Sequence, residues 1–365
     1  MFRNTMRNVE FEMRNGCLQF NSAFHISHFA FLLLLLLSGC SRDHRTPLVV
    51  YSHHGRDLLT LFEHRFETLH PDIDVRWLDM GSQDVYDRLR SERANPQADV
   101  WFGGPSLVLA QAARDSLLDC RRPVWADAIA PRGRGGGDCY FAAYETPVAF
   151  LYAEKVVKAE EAPQDWDDLL DPKWRGKLII RDPLASGTMR AVFGFIILRG
   201  MKQSADTSAG FAWLRRLDGQ TKVYEQNPAL VSEKIARQEG LITVWDLPDV
   251  LISRRRGMPV GYVFPKSGTV AIEDGIAVVR GAKHLTAARA YVDFVGSVEM
   301  QLAAAREVYR LPARLDLPAD SLPEWVRDVR RRMVVADVDW NRLAEQGPDW
   351  MRWWDQHVRG TGKGQ

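Results

Sequence analysis

The 365-residue chain has no excess of either charge, no zinc-type cysteine or histidine spacing, no serine-hydrolase elbow and no apolar run of membrane-spanning length. With 48 basic and 47 acidic residues the formal net charge is +1. A chain so balanced has no global field to draw nucleic acid or an anionic membrane surface, and neither is expected as a partner through charge. Without CxxC or HExxH, structural zinc and zincin chemistry lose their ligand spacing. An exported hydrolase is the competing class, but no GxSxG turn is present, and the prominent serines fall at expected helix starts, where capping explains them. No enzyme activity and no required cofactor are therefore expected. The apolar run Ala30 to Leu37 (AFLLLLLL) is too short to span a bilayer. Internal repeats are absent too. What remains is ordinary globular material, 46% hydrophobic and 26% charged, in a chain long enough for a two-lobed body with a sizeable core.

Arg3, Arg7 and Arg14 precede the apolar run and small residues follow it, the pattern of a signal peptide over residues 1–39. Glu10 and Glu12 lie unusually early for such a peptide, which makes Met6 or Met13 alternative starts. Leu37-Ser38-Gly39-Cys40 resembles the lipobox of bacterial lipoproteins. The resemblance implies a lipid on Cys40, a short tether over residues 40–47, and a monomer held on the periplasmic side of the envelope. Ser41 after the cysteine, rather than aspartate, points by the same resemblance toward the outer membrane. Of the four cysteines, Cys17 would leave with the leader and Cys40 would carry lipid. Cys120 and Cys139 then remain in an oxidising compartment, either as a disulfide or as two separate buried thiols. A disulfide would close a loop around the Arg132–Gly137 stretch RGRGGG, worth about 3 kcal/mol.

From Leu48 onward, strand and helix patterns alternate. LVVYS (48–52), DIDVRWLDM (72–80) and ADVWFGG (98–104) read as strands, with helical spacing over 58–69, 84–93 and 106–116. A second series begins near Tyr144: KLIIRDP, the helix Ser186–Gly200, TKVYEQ, GLITVWDL, GYVFPKSG and DGIAVVRG, then the helix Thr286–Val295. The expected class is α/β, with lobe 1 over 48–143, lobe 2 over 144–262, a return to lobe 1 over 263–310, and C-terminal helices over 311–365 packed on a lobe. Ligands of such sheets sit beyond the carboxyl ends of the strands, in the cleft between lobes.

LVVYSHHG, the GSQDVYDRL block, ANPQADVWFGG, DWDDLLDPKWRGKLIIRDPLASGTMR, RQEGLITVWDLPDV and EDGIAVVRGAKHLTAARAYVDFV together resemble the periplasmic solute-binding proteins of ABC importers, in the group that takes ferric ion, phosphonates and related ligands. The resemblance runs to about Pro312. It implies the type II two-lobed fold, hinge closure over a small ligand, and a permease and ATPase as partners.

Ser186-Gly187-Thr188 at a helix start is the strongest physical site, because unpaired N–H groups, hydroxyls and glycine's lack of a side chain suit an oxyanion; plain capping is the competing reading. Arg190 and Arg181 could add charge. His53 and His54 follow the first strand, with Ser52 before them, and either bind ligand or bond to backbone and water. By resemblance His54 matches the iron-binding histidine, while Trp245 and Asp246 stand where the ferric group has two tyrosines. An iron set would be His54, Asp246 and Tyr224, with Fe(III) and a synergistic anion as cargo; the alternative is a metal-free oxyanion such as a phosphonate or phosphate ester. Ser82, Gly104 and Ser106 could donate from the opposite lobe. Trp101 and Trp245 could stack on a ligand or fill the core, and Trp77 is read as core.

Overall fold

The computed structural model describes residues 44–364. The expected leader and the Cys40 anchor lie outside these residues. Among the described residues no helix is long and apolar enough to cross a membrane.

The chain opens with β1 (Thr46–Ser52), α1 (Arg56–Leu69), β2 (Ile73–Asp79), α2 (Ser82–Ser91), β3 (Val100–Pro105) and α3 (Ser106–Arg114). β1 pairs in parallel with β2 on one side and β3 on the other, so all three carboxyl ends open on one rim. Short strands β4 (Leu118–Asp119) and β5 (Arg134–Gly135) follow, and a disulfide joins Cys120 to Cys139 around the glycine loop. Next comes β6 (Tyr140–Ala153), fourteen residues long. Its first part pairs with β11 (Ala271–Val279) and its last part with β9 (Ile242–Asp246) and β10 (Val260–Val263). A single strand therefore runs from one lobe into the other, where the sequence suggests a boundary near Tyr144. The exchange of partners falls at Thr146–Val148. Pro147, which has no N–H to give a ladder, sits at that switch.

Lobe 2 is built from β7 (Leu178–Arg181), α4 (Gly187–Ser204), α5 (Ser208–Gln220), β8 (Thr221–Glu225), α6 (Pro228–Ala236), β9, α7 (Leu247–Arg255) and β10. The full path of strands is β2-β1-β3-β11-β6-β9-β7-β8. Gly200 does not stop α4 as its position suggests; the helix continues to Ser204 and ends at Ala205 in the left-handed region. Gly200 instead packs on the backbone of α5, where a Cβ would fall 2.3 Å from the Gly210 nitrogen.

The chain returns through β11, α8 (Leu285–Val295), α9 (Val298–Val308), β12 (Leu311–Pro312), α10 (Glu324–Arg332) and α11 (Trp340–His357). Leu48, Val50, Phe62, Phe66, Phe102 and Tyr291 fill the core of lobe 1. Phe150, Trp166, Ile180, Phe193 and Trp354 fill that of lobe 2. α11 packs on α4 of lobe 2 and also on α3 of lobe 1, so this amphipathic helix bridges the lobes instead of covering one of them.

Candidate functional site

The carboxyl end of β1 runs straight into Ser52-His53-His54. The Ser52 hydroxyl is fully buried and accepts from the His54 N–H at 3.2 Å, so it shapes the turn and does not face ligand. His53 Nδ1 lies 2.7 Å from the Gly103 carbonyl oxygen, which also accepts from Trp101 Nε1 at 2.9 Å. A ring nitrogen bonded to a carbonyl is a protonated one, and the other, His53 Nε2, lies 3.6 Å from Asp274 Oδ1. The His54 ring lies under the turn, 4.8 Å from that of His53, with Nδ1 3.9 Å from Asp274 Oδ2. Neither of its ring nitrogens has a hydrogen-bond partner. Burial, helped by the nearby Arg310 and His53 charges, pushes its pKa well below the usual imidazole range, so His54 is neutral and can accept.

Gly103 makes that placement possible. Its φ is +85°, and a Cβ would stand 2.4 Å from His54 Nε2.

Asp274, on β11, is 3% exposed; its Oδ2 accepts from Thr146 Oγ1 at 3.1 Å and its Oδ1 has no partner. Asp246 closes the site from the end of β9. Its Oδ2 accepts from Thr188 Oγ1 at 3.3 Å, and its Oδ1 is buried and unpartnered. Burial, then the charges of Asp249 and Asp274, raise its carboxyl from the ordinary value to about 8. Burial raises Asp249 too, against the pull of Arg310 and His53. Arg310 enters from behind: a left-handed residue, Tyr309, turns the chain after α9, and the guanidinium donates to the His54 carbonyl at 3.3 Å. Beside it the Tyr144 hydroxyl is buried without a partner. Three carboxyl groups and two imidazoles against one guanidinium make a centre rich in acceptor atoms, with burial favouring a proton on Asp246. His53, His54 and Asp274 also offer ligand atoms within 4.8 Å of one another, close enough to grip a single metal ion.

Opposite these acceptors stands the start of α4. Ser186 is its N-cap, accepting from the Met189 N–H at 3.2 Å, and the first N–H groups of the helix face outward as in any helix start. Gly187 lies against the other lobe, where a Cβ would be 2.8 Å from Pro105 Cγ and 2.9 Å from Ser82 Oγ. Across the same gap Arg190 donates to Gln83 at 2.8 Å, and Arg256 pairs with Asp57 at 2.8 Å. The lobes are closed on each other.

Several sequence expectations are relocated by these positions. Tyr224 is absent from the centre: β8 turns it toward α11, where it donates to Asp218 at 2.9 Å and packs on Trp354, so it does not belong to a metal set. His53 and Asp274 are the neighbours of His54 instead. Arg181 and Arg190 spend donors on the Ala185 and Leu184 carbonyls instead of facing the ligand position. Trp245 and Trp101 are buried, Trp77 donates to Glu63, and Gly104 lies against the Trp101 ring. Ser106 is the first residue of α3, with Pro105 in the capping position. Asp249, Asp274, Thr146, Tyr144 and Arg310 were missed by sequence reasoning. One signal was available for Asp274, since two adjacent carboxylates, Glu273 and Asp274, inside the apolar run AIEDGIAVV demand a reason to be buried.

The profile of bacterial extracellular solute-binding proteins matches residues 64–332, and the chain belongs to that family. It is a type II periplasmic binding protein, the substrate-binding component of an ABC importer. Members of the family are binding proteins, not enzymes. A Salmonella typhimurium periplasmic protein named for 2-aminoethylphosphonate binding is 26% identical over 307 residues, covering 81% of this chain and 87% of its own. Among solved structures, AfuA of Actinobacillus pleuropneumoniae with exogenous fructose-6-phosphate aligns with TM-score 0.75 at 24% identity, over 86% of this chain and 99% of its own. Iron-bound HitA of Pseudomonas aeruginosa aligns with TM-score 0.71 at 18% identity, over 84% and 98%. At these identities the two structures establish the fold alone.

Proposed function

We propose that the cargo is a small organic phosphate or phosphonate that also carries amino or hydroxyl donors. The observation behind this reading is the 3.3 Å contact between Thr188 and Asp246, which sets the donor end of α4 directly beside the acceptor-rich centre. A bare oxyanion would meet the Asp274 carboxylate and two further carboxyl groups, and a bare cation would leave the helix start idle. A molecule with an anionic and a donor-bearing end answers both. Two similar proteins support the reading, one named for an aminoalkyl phosphonate and one carrying a sugar phosphate.

Fe(III) with a synergistic anion is the second reading. The 4.8 Å grouping of His53, His54 and Asp274 favours it, with Asp246 supplying the anionic oxygen that Fe(III) prefers. Calorimetry of the mature chain with 2-aminoethylphosphonate, fructose-6-phosphate and Fe(III)-citrate separates the two. Saturable heat with an organic phosphate, and no visible absorption band with iron, is expected. An iron band without any organic-phosphate heat would reverse the order.

The location follows from the same reading. A lipid on Cys40 would leave a tether of only a few residues before β1, holding the receptor close to the membrane that houses its permease or to the opposite one. The mass of the mature N-terminal peptide tests it: an unmodified Cys40 would remove the anchor.

A further inference from the structure

The turn that presents Ser186-Gly187-Thr188 is held from behind by the last residues of the chain. Asp182, 1% exposed, begins the turn. Its Oδ1 accepts from the Leu184 N–H at 2.8 Å, and its Oδ2 accepts from Gln226 and, at 2.7 Å, from Arg359. Arg181 donates to the Ala185 carbonyl at 3.3 Å and Arg190 to the Leu184 carbonyl at 3.0 Å. Arg359 itself lies beyond α11. Its guanidinium carbon is 4.8 Å from the Trp354 ring centroid and 5.4 Å from that of Tyr224. A second buried carboxylate secures the following residues: Asp218 accepts from the Gly360 N–H at 3.0 Å, the Gly362 N–H at 2.9 Å and the Tyr224 hydroxyl.

The geometry points to Arg359 as a positioning residue for the ligand site. Asp182 is a buried carboxylate whose direction fixes the Leu184 N–H, and Leu184 lies two residues before the N-cap of α4. With Arg359 gone, Asp182 keeps two neutral donors, the Leu184 N–H and Gln226, but loses its ion pair and must turn toward solvent or another cation, carrying the turn with it. The carboxyl-terminal tail thus sets the aim of the α4 N–H groups although it touches no ligand. This inference rests on the anion seat proposed above for α4.

The test uses the mature full-length chain as wild type, R359K, R359Q and a form ending after Val358. Amide exchange without ligand is read first. In R359Q and the shortened chain, residues 182–190 are expected to exchange about tenfold faster while β9 is unchanged, with R359K closer to wild type. Affinity for 2-aminoethylphosphonate and fructose-6-phosphate is read second and is expected to fall about tenfold in R359Q. Unchanged exchange at 182–190 in R359Q overturns the inference, as does faster exchange with unchanged affinity for a probe that wild type binds. If wild type binds neither probe, the cargo reading fails by itself, and the exchange data alone decide whether Arg359 holds the turn.

Discussion

On the lobe 1 side the cleft presents unpartnered polar atoms, the two ring nitrogens of His54, one of which carries the proton, and Asp274 Oδ1, set in side chains wedged by Gly103, Thr146 and Phe102. On the lobe 2 side it presents N–H groups at the head of α4, set in a turn wrapped by arginines. One wall is rigid because its rings are packed in the core, the other because its carbonyls are tied. Asp246 stands between them. A ligand that serves only one wall leaves buried polar groups unanswered on the other, and that penalty is what makes the site selective.

Removing an acceptor should break this opposition most completely. Asp274→Asn is expected to weaken binding of a donor-bearing phosphate by about a hundredfold, since a charge-assisted bond is lost in a water-poor site. Calorimetry checks it, and the same substitution should leave a bare phosphate probe bound no more weakly than in wild type. Next in size is Gly103→Ala. A Cβ at 2.4 Å from His54 Nε2 must displace the ring, and the φ of +85° adds about 1–2 kcal/mol of strain. Affinity is expected to fall about tenfold together with the melting temperature, an outcome read by thermal denaturation in parallel with titration.

Acidity sharpens the comparison at Asp246. Its carboxyl is raised from about 3.8 to about 8 in the folded chain, so between those values the folded form holds a proton that the unfolded chain has lost. The stability this contributes is complete below pH 4 and is lost as pH rises through 8. The unliganded protein is therefore expected to gain melting temperature at pH 8 on Asp246→Asn, with the gain shrinking toward pH 5, while binding is damaged. His54 has the opposite slope, its lowered pKa costing stability as pH falls through 6.5, but it is common to both proteins and cancels in the difference. A gain independent of pH would show that Asp246 is not the group strained by its neighbours.

The frame of the molecule was legible because its signals are local: alternating and helical spacings placed most of the strands, and Ser186 read as a cap because caps have a residue type. β6 was legible only in halves, since its change of partners at Pro147 has no local sign beyond the proline. The site was half legible. His53, His54 and Asp246 end strands, where ligand groups belong, whereas Asp274, Asp249 and Arg310 reach the centre by pairing and packing between segments more than a hundred residues apart in some cases. Tyr224 failed for a matching reason. Which face of β8 meets the cleft depends on where α11 docks, and nothing in TKVYEQ announces that.

The smallest effect concerns what holds the walls together. Arg256 and Asp57 pair across the cleft mouth, but both side chains are more than half exposed, so solvent and salt screen them. Arg190–Gln83 lies deeper and is uncharged on one side. If closure were driven by the exposed pair, Arg256→Gln would cost affinity in low salt and nothing in high salt. Because the close contact of Gly187 with Pro105 and the two-walled grip on the ligand supply the preference for the closed form, the change is expected to be about twofold at low ionic strength and to vanish above roughly 0.5 M salt, where screening is complete. A tenfold loss on Arg256→Gln would move the source of closure from the centre of the cleft to its rim, and the ligand's two ends would no longer need to reach both walls.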